Sequence, residues 1–174
     1  MPTIKEERTV KKASVTKCIV CSFNHILKGS LTSPVKWFLP IILIIFLPNL
    51  VMINGLWALF GPDTAAEENT LTGATYIVIF GPLIETILIA LFSPLYIRNG
   101  VPNTKIIIVS ALAWGILHVF NSIYSFFPAF WAFYIFITIY ATWYKKGIEK
   151  AFIYTLVLHI CYNALILCLM LLGL

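Results

Sequence analysis

Long apolar segments are the feature that most limits what this chain can fold into. Hydrophobic residues make up 60% of its 174 residues and charged residues only 11%, whereas a soluble domain carries roughly 25% charged residues. A soluble core cannot bury this much apolar surface. We therefore predict an integral membrane protein whose fold class is all-α, a polytopic membrane helical bundle.

Five of the apolar segments are long enough to cross a bilayer, which takes about 20 helical residues. They lie at about 35–60, 74–97, 105–122, 126–144 and 151–173. Only the short break at Asn121 and Ser122 separates the third from the fourth. We predict one transmembrane domain, 35–174, preceded by a basic tail, 1–34. Residues 13–29 of this tail are predicted to form an amphipathic interfacial helix.

The positive charges test this arrangement independently. If the five spans alternate in direction, all twelve Lys and Arg fall on one side of the membrane, and Asp63, Glu67 and Glu68 fall on the other. Positive residues are enriched on the cytoplasmic side, so we predict a cytoplasmic N-terminus and an external C-terminus. Because the basic residues flank the spans, their expected partner is anionic membrane lipid and not nucleic acid.

Four polar residues inside the spans are the candidate functional residues: Glu85, His118, His159 and Asn163. Such side chains are costly in the hydrocarbon core and commonly mark functional sites. At the helical rise the four lie about 12–20 Å into their spans, which are depths similar enough for one shared cavity. His159 and Asn163 are four residues apart and so lie on one helix face, as do Trp114 and His118.

A glutamate beside two imidazoles and an amide is suited to hydrolysis. The carboxylate can act as a general base toward water, and an N–H donor can stabilise the oxyanion that forms on the attacked carbonyl. A purely structural interpretation is also open, because polar side chains in membranes form hydrogen bonds that only join helices. Asn49 and Asn54 in the first span are not one helix turn apart, and we take them to imply no site.

The order of these residues resembles the CPBP (CaaX protease/Abi) family. Its motifs, E-E-x-x-x-R, F-x-x-x-H and H-x-x-x-N/D, occur in this order on successive membrane helices. Their counterparts here lie within 80–165, and they are Pro82-Leu83-Ile84-Glu85-Thr86, Trp114-Gly115-Ile116-Leu117-His118 and His159-Ile160-Cys161-Tyr162-Asn163. The resemblance implies an intramembrane glutamic endopeptidase in a bacterial plasma membrane. Its substrate would be a peptide or protein with a hydrophobic or lipid-linked segment near the membrane.

The resemblance also implies a role for each candidate residue. Glu85 matches the general base that activates water, and His118 matches the second-motif histidine that assists it. His159 and Asn163 match the residues that bind the water and stabilise the oxyanion.

Three positions depart from the family motifs. Thr86 stands in place of the second glutamate, Ala90 in place of the arginine and Trp114 in place of the phenylalanine. Loss of the Glu and the Arg favours an alternative function, a non-catalytic family member such as a bacteriocin-immunity or assembly factor. A small transporter that uses Glu85 and the histidines as a proton relay is a third hypothesis, which the absence of repeat symmetry disfavours.

No cofactor is expected at this site. We favour a metal-free mechanism because the resemblance is to glutamic proteases. Carboxylate and imidazole are also zinc ligands, so a metal-dependent version at Glu85, His118 and His159 stays open. The sequence predicts neither the identity of the substrate nor the oligomeric state.

Overall fold

The computed structural model describes residues 34–60, 71–98 and 101–172, and these residues are almost entirely helical. The predicted all-α membrane bundle is thereby confirmed. The chain divides into two compact units, Met1–Ile41 and Ile42–Leu174. Of the first unit, the described residues include only the start of the first helix. The predicted interfacial helix at 13–29 lies outside the described residues.

The described elements are helices with short interruptions. In chain order they are α1 (Pro34–Phe60), α2 (Leu71–Thr75), a π-helix (Tyr76–Phe80), α3 (Gly81–Leu91), α4 (Ser93–Tyr96), β1 (Ile97–Arg98), β2 (Val101–Pro102), α5 (Thr104–Val119), a 3₁₀ turn (Ile123–Ser125), α6 (Phe126–Trp143), a second 3₁₀ turn (Tyr144–Lys146) and α7 (Ile148–Leu171). The two short strands pair antiparallel, with Ile97 opposite Pro102. The sequence patterns did not predict this hairpin.

Four segments of the described chain are long and apolar enough to cross a membrane. They are Lys36–Leu56, Gly73–Leu91, Ile123–Lys146 and Ile148–Leu169, and they correspond to the first, second, fourth and fifth predicted spans. The predicted third span, 105–122, is α5, a shorter apolar helix of 16 residues. It begins where the Asn103 side chain accepts a hydrogen bond from the Ile106 N–H, and it ends before the turn at Phe120.

A glycine allows α5 to approach α6 closely. A Cβ atom on Gly115 would lie 3.0 Å from the carbonyl oxygen of Phe126 and 3.1 Å from the Cβ of Phe130. Gly115 is three residues before His118, so this contact fixes the histidine-bearing end of α5 against α6. Helix α6 is itself buried along most of its length, which makes it a rigid support for the site.

A buried asparagine joins α1 to two other helices. The Asn49 side chain is fully buried, and its Nδ2 donates to the Tyr162 hydroxyl on α7 at 2.7 Å and to the Pro128 carbonyl on α6 at 3.3 Å. The Trp131 indole on α6 donates to the Ile44 carbonyl on α1 at 3.0 Å. The sequence interpretation of Asn49 missed this connection, because spacing along one helix does not reveal partners on other helices.

Candidate active site

Three helices bring one carboxylate and two imidazoles together. Glu85 lies on α3, His118 near the end of α5 and His159 in the middle of α7. One carboxylate oxygen of Glu85 is 3.6 Å from Nε2 of His118, and the other is 3.2 Å from Nε2 of His159. The side chains thus meet at one place, as their depths along the spans led us to expect. Their catalytic roles stay predictions.

The three side chains differ in how accessible they are. Glu85 is 21% exposed and His118 is 24% exposed, whereas His159 is only 3% exposed. The His159 ring is enclosed by aromatic side chains of α6, with its centroid 4.2 Å from that of Phe136 and 5.6 Å from that of Phe133. The carboxylate and one imidazole are therefore partly accessible, while the second imidazole is held firmly by its neighbours.

The hydrogen bonds give the two imidazoles different proton arrangements. Nδ1 of His118 is 2.9 Å from the Trp114 carbonyl oxygen. A carbonyl only accepts, so Nδ1 carries the hydrogen and, in the neutral ring, Nε2 faces Glu85 as an acceptor. Nδ1 of His159 is buried without a hydrogen-bond partner among the described residues. The tautomer with its hydrogen on Nε2 directs that N–H at Glu85, so His118 is arranged to accept a proton and His159 to donate one.

An aromatic layer supports both imidazoles. Trp114 stacks on Phe133, with ring centroids 4.3 Å apart and planes inclined by 6°. The His118 ring centroid lies 5.4 Å from the same phenylalanine, which also contacts His159. A single ring of α6 therefore contacts both histidines. Sequence reasoning missed Phe133 and Phe136, because nothing in a segment this rich in aromatic residues marks which rings face a polar site.

Asn163 lies one turn beyond His159 on α7, as its spacing predicts. Its Nδ2 donates to the carbonyl oxygen of Ile77, in the π-helix, at 2.8 Å. This contact involves the helical segment just before α3 rather than Glu85 itself. An amide nitrogen carries two hydrogens, so one remains beyond this bond. The expected role of Asn163 toward an oxyanion stays a prediction.

Two of the positions that depart from the family motifs lie on α3. Thr86 is fully buried, and its hydroxyl has no hydrogen-bond partner within the described part of the chain. Ala90, one turn further, lines a shallow groove beside Glu149 and Phe152 of α7. Neither side chain can supply the charge that a glutamate or an arginine would bring.

The described residues contain no group of three or more His, Cys, Asp and Glu side chains arranged to hold a metal ion. Instead, His118 and His159 approach different oxygens of one carboxylate. The expected metal-free site and the zinc-dependent alternative both stay predictions.

A family model matches the part of the chain that carries this site. The family is described as Type II CAAX prenyl endopeptidase Rce1-like, and the match covers residues 67–165, more than half of the chain. All four candidate residues lie within that range. No curated protein and no solved structure matches the chain.

Proposed function

Because this chain belongs to the Type II CAAX prenyl endopeptidase Rce1-like family, we propose that it is an intramembrane endopeptidase in which Glu85 activates water. Membership of the family makes a CAAX-type protease the general kind of function. The observation that carries the specific proposal is the position of the Glu85 carboxylate, each oxygen of which faces a different imidazole at 3.6 Å or 3.2 Å. The three groups come from three separate helices and meet within reach of one another, which is the mutual geometry expected of a hydrolytic site.

In the proposed reaction, Glu85 takes a proton from a water molecule that lies beside its exposed carboxylate. The water oxygen attacks the carbonyl carbon of the scissile peptide bond and produces a tetrahedral intermediate with a negative oxygen. The proton then passes to the leaving nitrogen as the C–N bond breaks. A general base placed in this way contributes typically about 10²–10⁴-fold to the rate.

The two imidazoles have complementary parts in this mechanism. Nε2 of His118 faces Glu85 as an acceptor, because its Nδ1 donates to Trp114, so it can share the proton that the carboxylate gains. Nε2 of His159 is arranged as a donor, and its N–H is available to the developing oxyanion once the carboxylate has taken up its proton. The aromatic enclosure of His159 keeps this donor in place, and such preorganisation is what stabilises a transition-state charge.

The proposed substrate is a peptide or protein with a hydrophobic or lipid-linked segment near its cleavage site. The segments that carry Glu85 and His159 are long and apolar enough to cross a membrane, so a substrate reaches the site from within or beside the bilayer. The family description names a prenyl endopeptidase, which makes a prenylated CAAX peptide the first substrate to test.

The test compares Glu85→Gln with Glu149→Gln in the full chain reconstituted into vesicles. Both variants change one carboxylate to an amide, but Glu149 is exposed at the start of α7. Cleavage of a prenylated peptide, followed by mass spectrometry, should fall by about 10²–10⁴-fold in the first variant and remain unchanged in the second. Equal cleavage by Glu85→Gln and the unaltered chain, or cleavage by neither, would contradict the proposal.

One observation favours a second candidate function, a non-catalytic family member such as an immunity or assembly factor. Thr86 is buried at the position of the motif's second glutamate, and its hydroxyl has no partner among the residues that the structure describes. This site therefore has one acidic group fewer than the motif. The same Glu85→Gln variant separates the two functions in cells. An immunity or assembly phenotype that persists unchanged in this variant supports the non-catalytic function.

A further inference from the structure

The carbonyl of Ile77 lacks both of its regular helical donors. In an α-helix it would accept from the N–H of Gly81, four residues on, but that N–H donates to the Tyr76 carbonyl. In a π-helix it would accept from the residue five positions on, which is Pro82 and has no N–H. A carbonyl without a donor is costly in the hydrocarbon region of a membrane.

A side chain from another helix takes the place of the missing donor. Nδ2 of Asn163 on α7 donates to the Ile77 carbonyl at 2.8 Å. The same two polypeptide segments meet again at the site, where Nε2 of His159 lies 3.2 Å from Glu85. His159 and Asn163 are one helical turn apart, so two polar contacts fix how α7 lies along the segment that continues into α3.

We propose that Asn163 is a positioning residue, whose amide replaces the backbone N–H that Pro82 lacks and thereby holds His159 against Glu85. The catalytic consequence rests on the proposed function, whereas the pairing of Asn163 with Pro82 does not. The proposal explains why an asparagine is useful at a point where the neighbouring helix contains a proline. It also predicts that the asparagine becomes dispensable for stability once the backbone donor is restored.

The test is a double-mutant cycle with Asn163→Ala and Pro82→Ala in the full chain. Asn163→Ala should lower the melting temperature in detergent by about 2–4 °C and lower kcat by about 10²-fold, with little change in KM, because a small displacement of reacting groups is enough to slow the chemistry. Pro82→Ala returns an N–H to the helix. On that background Asn163→Ala should lower the melting temperature almost no further.

Asn54→Ala is the matched control. Nδ2 of Asn54 also donates to a backbone carbonyl at 2.8 Å, but the carbonyl belongs to Leu50 of its own helix. This variant should change neither melting temperature nor kcat. If Pro82→Ala does not fold, Pro82→Ser restores the same N–H and serves in its place.

Three results would overturn the proposal. The first is an unchanged melting temperature in Asn163→Ala. The second is an equal fall in melting temperature on Asn163→Ala with and without Pro82. The third is an unchanged kcat in Asn163→Ala, since that result would separate this amide from the alignment of His159 with Glu85. If the unaltered chain cleaves no peptide, the melting temperatures still test the pairing, so failure of the proposed function is distinguishable from failure of this inference.

Discussion

At the residue scale, each oxygen of the Glu85 carboxylate faces a different imidazole, and the surroundings of the two imidazoles are unequal. His118 is about a quarter exposed and is oriented by one backbone hydrogen bond, whereas His159 is almost fully buried against Phe136. Truncation of the partly exposed His118 side chain costs little packing. Truncation of the buried His159 side chain also leaves a cavity.

Replacement of each histidine by alanine should therefore give different effects on stability. Both variants should lose cleavage activity, but His159→Ala should lower the free energy of unfolding by about 2–4 kcal/mol, in the range for large buried side chains. His118→Ala should lower it by much less, because its ring is partly exposed. Thermal unfolding in detergent measures the difference. Equal destabilisation of the two variants would contradict the unequal enclosure described here.

The sequence predicted which ionisable residues converge but not what holds them. Glu85, His118 and His159 are identifiable because a charged or polar group in an apolar segment is unusual and therefore informative. The supporting rings, Phe133 and Phe136, lie in a segment in which most residues are apolar or aromatic. Neighbouring residues there are chemically alike, so the sequence does not distinguish them. Which rings face the site is determined by the orientation of α6 about its axis in the folded bundle.

At the scale of elements, the close contact between α5 and α6 depends on a glycine, Gly115, which has no side chain. A methyl group on Gly115 would come within 3.0 Å of the Phe126 carbonyl oxygen, a backbone atom that cannot turn aside. The two helices would have to separate. Because His118 is almost one turn further along α5, any separation would also move it relative to Glu85.

Gly115→Ala should therefore destabilise the chain by about 1–3 kcal/mol, as overpacking commonly does, and reduce cleavage activity. Gly55→Ala is the matched control, because a Cβ there meets no atom within 4 Å. Replacing an exposed helical glycine by alanine should leave the free energy of unfolding unchanged or raise it by up to about 1 kcal/mol. Thermal unfolding of both variants measures the contrast, and an unaltered melting temperature in Gly115→Ala would argue against close packing at this point.

The existence of the long helices could be predicted from apolar length alone, but their interruptions could not. Pro82 indicates a disturbed helix, yet it does not determine whether the chain kinks or forms the observed π-helix. The observed form includes a hydrogen bond from Asn163, which lies in a distant part of the sequence. The hairpin at 97–102 has only two residues in each strand. Segments this short do not produce a recognisable alternation of apolar and polar residues.

At the scale of the whole molecule, the number of membrane crossings determines which residues share a side. Helix α5 has 16 residues and a length of about 24 Å, somewhat less than the hydrocarbon thickness of about 30 Å. Its close packing on α6 at Gly115 keeps it alongside a full-length span. If α5 crosses, Lys105 and Lys145 lie on the same side, and positive-inside bias makes that side cytoplasmic.

Single-cysteine labelling tests this orientation in intact cells. The four native cysteines are first replaced, and a cysteine is then introduced at Asn121, in the turn after α5, or at Lys146, between α6 and α7; both positions are exposed. A membrane-impermeant maleimide should label Asn121→Cys from outside, and it should label Lys146→Cys only after permeabilisation, because α6 separates the two positions by one crossing. Labelling of Lys146→Cys from outside, and of Asn121→Cys only after permeabilisation, would mean that the chain has the opposite orientation. Labelling of both from one side would mean that α6 does not cross, and the charges that flank the helices would then no longer share one face of the membrane.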